Sequence, residues 1–202
     1  VFNGLIREIA EVKFYNNHIL SLKAHYRPNL GDSIAVNGAC LSVIKINANG
    51  FDVELSKESR THIATENLKH KVHIEPALKF GDRIDGHLMQ GHIDMLGRLE
   101  KIQKDENGID FFISLPQQGM KFMANKGSVG IDGVSLTINE VLKEGIRVTI
   151  IPLTFRETLF QSYKIGRRIN VESDLLSRYI DARFEYKKGI SWEEVERISY
   201  LY

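Results

Sequence analysis

One cysteine, Cys40, stands in a chain of 202 residues. No disulfide can close within the chain, and a lone thiol fits a reducing, cytoplasmic setting. Charge of one sign is also missing, with 27 Lys and Arg against 26 Asp and Glu. A dedicated nucleic-acid binder needs a basic face to displace counterions, and single-strand binders add rows of aromatic side chains on which bases stack. This chain has neither, so nucleic acid is not an expected partner. No apolar run is long enough to cross a bilayer, and the first residues lack a secretion-signal pattern, so no membrane is expected either. Val1 stands where an initiating methionine is expected, as a GTG start codon or trimming would leave it.

What the chain does have is a sentence said twice. Ser33-Ile-Ala-Val-Asn-Gly-Ala-Cys-Leu-Ser-Val43 is matched 95 residues later by Ser128-Val-Gly-Ile-Asp-Gly-Val-Ser-Leu-Thr-Ile138. Of these eleven positions three are identical and six exchange like for like. Asn-Gly and Asp-Gly between alternating apolar residues signal a β-hairpin, because a type I′ turn needs positive φ at both centres. A small polar side chain, Cys40 or Ser135, follows each turn. A period this long is no solenoid repeat and suits two tandem domains.

The remaining pattern repeats around these hairpins. In the first half, strands are expected at Phe2–Lys13, Ile19–Leu22, Phe51–Leu55 and Val72–Glu75, with turns at Asn16-Asn17 and Asn47–Gly50 and a short helix in Ser59–Asn67. Lys79–Gln90 is a joint. The second half repeats the order with strands at His92–Ile102, Phe111–Leu115, Arg147–Ile151 and Ile169–Glu172. Asn107-Gly108 is a turn, Gln117–Asn125 and Thr154–Tyr163 are helical, and Gly145 closes the second hairpin. The expected fold is mainly β: tandem duplicated six-stranded Greek-key β-barrels, closed so that no strand edge is left raw, with a C-terminal helix. The expected domains are 1–88, 89–184 and a terminal helix, 185–202.

Ser173 or Asp174 caps a helix carrying Leu175, Leu176, Tyr179, Ile180 and Phe184, and Gly189 ends it. Ser191-Trp-Glu-Glu194 is a capping box that opens another, with Trp192, Val195 and Ile198 in a stripe. Such stripes fold back on the barrels or meet other copies of the chain, and periodicity alone leaves both open.

The paired hairpins, the opening Phe2-Asn3-Gly4-Leu5-Ile6, the joint Gly86-His87 before Gly91-His92-Ile93, and Ile151-Pro152-Leu153-Thr154 together resemble the riboflavin synthases of the single-chain, trimeric kind. The resemblance covers about residues 2–184. It implies conversion of two 6,7-dimethyl-8-ribityllumazine molecules to riboflavin and a pyrimidinedione, with no external cofactor and no metal. It further implies a homotrimer whose reaction centre joins barrels of neighbouring subunits, and an association with lumazine synthase. Carried over position by position, the binding segments of the first half are Gly4, Leu5 and Ile6; Cys40, Leu41 and Ser42; and Glu54, Leu55, Ser56, Lys57, Glu58 and Ser59. Those of the second are Gly91, His92 and Ile93; Ser135, Leu136 and Thr137; and Ile150, Ile151, Pro152, Leu153, Thr154 and Phe155. Lys126 matches a lysine that reaches a neighbouring subunit's ligand.

The reaction begins with loss of a proton from the C7 methyl group. His92 is the foremost acid–base candidate, since imidazole titrates near neutrality; packing at a strand start is the plain alternative. Cys40 and Ser135 suit binding or polarising better than covalent attack, and Ser33 matches a position near the family's site. Asp174 matches another, and equally reads as a helix cap. His87 and His92 with Asp85 and Asp94 make a poor metal site, because the glycine-rich joint offers no regular face for ligands. Phe2 either covers a ligand ring or plugs a barrel end, and the four methionines read as core filler. Asn3 in place of Thr, Leu153 in place of a polar residue and His70-Lys71 in place of Val-Gly-Asp depart from the family pattern. A lumazine or flavin carrier without turnover, like the antenna proteins of luminous bacteria, is the rival; such carriers tend to lose one pocket, and here both keep their small polar residues.

Overall fold

The computed structural model describes residues 1–106 and 108–187. Twelve strands form two closed antiparallel barrels. The first is built of β1 (Glu8–Asn16), β2 (Ile19–Lys23), β3 (Ser33–Val36), β4 (Ala39–Asn47), β5 (Gly50–Glu54) and β6 (Lys71–Pro76), in the spatial order β1-β2-β5-β4-β3-β6. The second is built of β7 (Met95–Asp105), β8 (Gly108–Ser114), β9 (Ser128–Ile131), β10 (Val134–Leu142), β11 (Gly145–Ile150) and β12 (Arg168–Ser173), and follows the same circuit. Bulges fall at matching places, Val12/Phe14 with Leu99/Lys101 and Val43/Lys45 with Ile138/Glu140. A bulge tightens local twist, which helps a small sheet close. Each barrel has its own core, around Leu20, Leu22, Phe51 and Ile74 in the first and Leu99, Phe111, Ile113 and Phe160 in the second.

Asn37-Gly38 and Asp132-Gly133 make the expected turns, with φ of 44° and 84° in one and 44° and 83° in the other. The two turns lie back to back. A Cβ on Gly38 would sit 2.7 Å from the Gly133 nitrogen, and one on Gly133 2.8 Å from the Gly38 nitrogen. Around this axis the halves exchange hydrogen bonds in matched pairs. His73 Nδ1 bonds Asp132 O (2.9 Å), as Asn170 Nδ2 bonds Asn37 O (2.9 Å). His73 Nε2 accepts the Leu159 amide (2.8 Å), as Asn170 Oδ1 accepts the Ala64 amide (2.7 Å). Nε2 is therefore unprotonated and the proton lies on Nδ1. Asp132, fully buried, also accepts the Tyr163 hydroxyl and the Asn170 amide.

Several expected boundaries are corrected. The first strands of both halves begin later, at Glu8 rather than Phe2 and at Met95 rather than His92. Gly4 and Gly91 hold φ of 79° and 77°, outside the extended region, and their segments leave the sheet. The two short helices each split, into α1 (Lys57–His62) with a 3-10 turn at Thr65–Asn67, and α2 (Pro152–Glu157) with one at Leu159–Ser162. Pro152 opens α2 and Ser56 caps α1, each favouring an earlier start than expected. Gln117–Phe122 is 3-10 rather than a longer helix, and Gly145 opens β11 instead of preceding it. Met89, Met95 and Met123 are buried filler, as expected. Phe2 is buried against Ala35 and Met89.

Asp174 caps α3 (Leu175–Lys187) through its carboxylate, which accepts the Leu176 amide (2.8 Å). Leu176, Tyr179, Ile180 and Phe184 form an exposed apolar stripe on α3. The capping box at Ser191, Trp192 and Asn107 lie outside the described residues. Among the described residues no helix is long and apolar enough to cross a membrane.

Candidate active site

The two glycine segments that leave their sheets cross over. Gly4 O accepts the Ser135 amide of the second barrel (2.9 Å), and Gly91 O accepts the Cys40 amide of the first (2.8 Å). Ile6 packs on the second core and Ile93 on the first. The segments lie by halves along the chain, and the fold pairs them across halves. Gly4-Leu5-Ile6 serves the mouth that carries Ser135, and Gly91-His92-Ile93 the mouth that carries Cys40. Only glycine fits at either crossing. A Cβ on Gly4 would lie 2.5 Å from Ser135 Cβ, and one on Gly91 2.6 Å from Cys40 Cβ.

A carboxylate fastens each crossing. Glu75, at the end of β6, accepts the amides of Asn3 (2.8 Å) and Gly4 (3.1 Å). Glu172, on β12, accepts those of Gln90 (2.7 Å) and Gly91 (3.0 Å). Burial pushes the Glu75 carboxyl up to about 7, against the pull of the Asn3 and Gly4 N–H groups. Burial raises Glu172 as well, opposed by its two amides and Arg178.

The first mouth is a cavity of about 590 Å³ lined by Cys40, Ser56, Glu58, Ser59, Gly91, His92 and Ile93 among the expected residues. His62 and Asp94 also line it and were not expected. Ser56 Oγ lies 2.9 Å from Ser59 Oγ and accepts the Ser59 amide, so these hydroxyls are held by α1 itself. Leu41 turns into the core by strand alternation, while Ser42 is exposed opposite Ser33 in the β3–β4 register, and Leu55, just past β5, is buried in the same core. Glu54 and Lys57 are exposed on the rim, Glu54 3.6 Å from His18.

At the second mouth Ser135 Oγ lies 2.7 Å from His87 Nδ1. His87 arrives on the joint, where its amide bonds Asn3 O (3.2 Å). Burial lowers the affinity of His87 for a second proton, while Asp174 works the other way. Its Nε2 is buried with no protein partner. The signal for His87 was in the sequence, as the first member of the Gly-His pair repeated five residues later at Gly91-His92, but it reads as a linker until the chain is folded. Thr137 is exposed opposite Ser128, Leu136 and Phe155 pack on the core, and Ile150 is fully buried. Ile151 and Leu153 are exposed around Pro152 and half-buried Thr154 on α2. Lys126 is exposed, with φ of 65° and its amide on Ile138 O (2.7 Å). His87 and Asp94 are engaged elsewhere, by Ser135 and by Arg178 and Ser173, and no group of three or more metal-ligating side chains occurs among the described residues.

The two mouths follow one design, each completed by a segment of the other half. The lumazine binding domain family model matches the chain twice, at residues 3–77 and 90–174. The chain is 35% identical over 191 residues to riboflavin synthase of Photobacterium leiognathi, covering 90% of this chain and 88% of that one. Against riboflavin synthase of Escherichia coli (strain K12) it is 36% identical over 185 residues, covering 86% and 87%. Against that of Bacillus subtilis (strain 168) it is 32% identical over 196 residues, covering 93% and 91%. Crystal structures of LumP complexed with riboflavin and with 6,7-dimethyl-8-(1'-D-ribityl) lumazine superpose with TM-scores of 0.76 and 0.73. Both cover 86% of this chain and 99% of LumP, at 20% and 18% identity, and so bear on the fold alone. With both of its barrels matched and a third of its residues shared over nearly its whole length, the chain belongs to the riboflavin synthase family of lumazine-binding proteins.

Proposed function

We infer that this chain is a riboflavin synthase, converting two molecules of 6,7-dimethyl-8-ribityllumazine into riboflavin and 5-amino-6-ribitylamino-2,4-pyrimidinedione. The observation that carries this reading is the pair of crossed mouths, because the reaction needs two copies of one compound held in defined orientation. A four-carbon unit passes from one lumazine to the other, so donor and acceptor are chemically the same and like pockets suit them. The Gly4 and Gly91 amides and carbonyls are spent on the clamps and crossings, so on this reading the dione edge falls to the rest of the segments Gly4-Leu5-Ile6 and Gly91-His92-Ile93. The hydroxyls of Ser42, Ser59, Thr137 and Thr154 suit ribityl chains, since each donates and accepts.

The acid–base work falls to different groups at the two mouths. At the first, His92 is proposed for it, an exposed imidazole that lines the mouth together with Cys40 and a second exposed imidazole, His62. At the second, neutral His87 can accept the Ser135 hydroxyl proton in a hydrogen bond, making that oxygen a better acceptor for a methyl proton. Ser33, across from Ser42 in the β3–β4 register, and exposed Lys126 are proposed as auxiliary binders of substrate from the same or a neighbouring chain.

The test is a tube holding only this protein and the lumazine. Riboflavin is expected to form with nothing added, and His92→Ala to slow turnover about tenfold or more while changing lumazine affinity less than threefold. Lumazine bound without riboflavin formed would assign the chain to the carriers instead.

The apolar stripe of α3 is proposed as the contact of a homotrimer. Burial of Leu176, Tyr179, Ile180 and Phe184 would remove a surface that water otherwise meets. Sedimentation is expected at three times the 23.1 kDa of one chain; a monomer at micromolar concentration would dismiss it.

A further inference from the structure

The two clamps match in their carboxylates and differ in what stands behind them. Glu75 receives only backbone N–H groups, and among the described residues no Lys or Arg forms an ion pair with it. Glu172 is backed by Arg178 of α3, whose Nη2 lies 3.4 Å from Glu172 Oε1 and 3.2 Å from Gln90 Oε1. The same guanidinium places Nη1 3.0 Å from Asp94 Oδ1. Asp94 follows Ile93 directly, lines the first mouth, and accepts the Ser173 amide (2.6 Å) and hydroxyl (2.7 Å) through its other oxygen. One helical side chain thus holds both ends of the crossed stretch Gln90–Asp94, on which His92 sits.

We propose that Glu75 and Glu172 are positioning residues for the second and first mouths respectively, and that Arg178 ties the clamp of the first mouth, and not that of the second, to α3. The proposal rests on the riboflavin synthase reading, in that it concerns the seating of two lumazines. Its physical basis is local. A carboxylate accepting two amides from consecutive residues fixes the direction of that backbone, and a charge-assisted bond from a half-buried arginine stiffens the carboxylate in turn. Gly4 O and Gly91 O then meet Ser135 and Cys40 in one orientation only. The clamp of the second mouth has no such tie to α3, because Glu75 lies at the end of β6, where the chain runs into the joint; α3 reaches that mouth only through the charge of its cap, Asp174, on His87. Arg178 touches neither ring site, so it acts through Glu172, Gln90 and Asp94.

The full-length protein is compared as wild type, Arg178→Met and Glu75→Gln, first without ligand and then in a lumazine titration followed by fluorescence. Ring-proton NMR signals of His92 and His87 report the first and second mouths separately. Arg178→Met is expected to move the His92 signals, leave those of His87 in place, and weaken one lumazine site about tenfold with the other within twofold. Glu75→Gln is expected to do the reverse, moving His87 and weakening the other site. A mere loss of stability would move both rings together. The proposal is overturned if either variant disturbs both mouths alike, if both weaken the same site, or if neither moves a ring. A wild-type protein that binds no lumazine overturns the functional reading instead, and the ligand-free ring signals still decide the clamps.

Discussion

Gly91→Ala is expected to lower kcat/KM about a hundredfold, which corresponds to about 2.7 kcal/mol of transition-state stabilisation. Both barrels should stay folded by circular dichroism. Backbone strain and steric conflict both contribute. A non-glycine residue at φ of 77° carries about 1 kcal/mol of strain. The steric conflict costs more, because the new Cβ would sit 2.6 Å from Cys40 Cβ and 2.8 Å from the Cys40 nitrogen. Cβ and backbone cannot swing aside, so the crossed segment must lift from the first mouth, taking His92 with it. Gly4→Ala should do the same at the second mouth, where Ser135 Cβ and N lie 2.5 and 2.6 Å away. Gly31 and Gly81 supply the control, with φ of 87° and 92° and nothing within 4 Å of a new Cβ. Alanine there should cost about 1 kcal/mol of stability and leave turnover intact. A Gly91→Ala enzyme within threefold of wild type would show that the crossing does not set the site.

Acid should unlock the barrels from each other through His73. The ring is fully buried, and burial lowers its affinity for a second proton to about pH 4, from an ordinary value of 6.5. Arg167 also faces it and disfavours the charge; the Asp132 carbonyl favours it. The carboxylate of that same Asp132 is taken up by the Tyr163 hydroxyl and by Arg167, 3.7 Å away. A proton on Nε2 would point at the Leu159 N–H, which that nitrogen now accepts. With the folded value below the unfolded one, the stability contribution is complete above pH 6.5 and is lost as pH falls towards 4. That loss amounts to about 3 kcal/mol. Glu75 has the opposite sign. Its folded value of about 7 lies above the ordinary 4.5, so its contribution is greatest in acid and declines as pH rises through that interval. The two partly cancel between pH 4.5 and 6.5, and variants separate them. Asn170 makes with an amide the same two bonds that His73 makes with a ring. Asn at position 73 offers the same donor and acceptor without titrating, so His73→Asn should remove the acid-side loss measured by urea unfolding between pH 4 and 7. His73→Ala, which orphans a buried amide and a carbonyl, should cost about 3 kcal/mol at pH 8. An acid profile unchanged in His73→Asn would exclude the histidine as its source.

The duplication, the barrel class and the identity of the small polar residues were legible in the chain itself. Asn37-Gly38 and Asp132-Gly133 demand tight turns by backbone sterics alone, and the alternation around Leu41 and Leu136 assigns their faces, because both are local properties of the polypeptide. Which mouth each glycine segment completes was decided only in three dimensions. Gly4 is 131 residues from Ser135, and Gly91 is 51 from Cys40. No periodicity connects such distances, and two halves this similar predict closure within each half equally well. The two turns pack back to back, and each segment is bonded to the opposite mouth. His87 beside Ser135, and Arg178 behind Glu172, were hidden for the same reason. Residue type and spacing determine what a strand or turn becomes, but which side chains meet depends on how two finished barrels abut, and that contact surface exists only once both have closed.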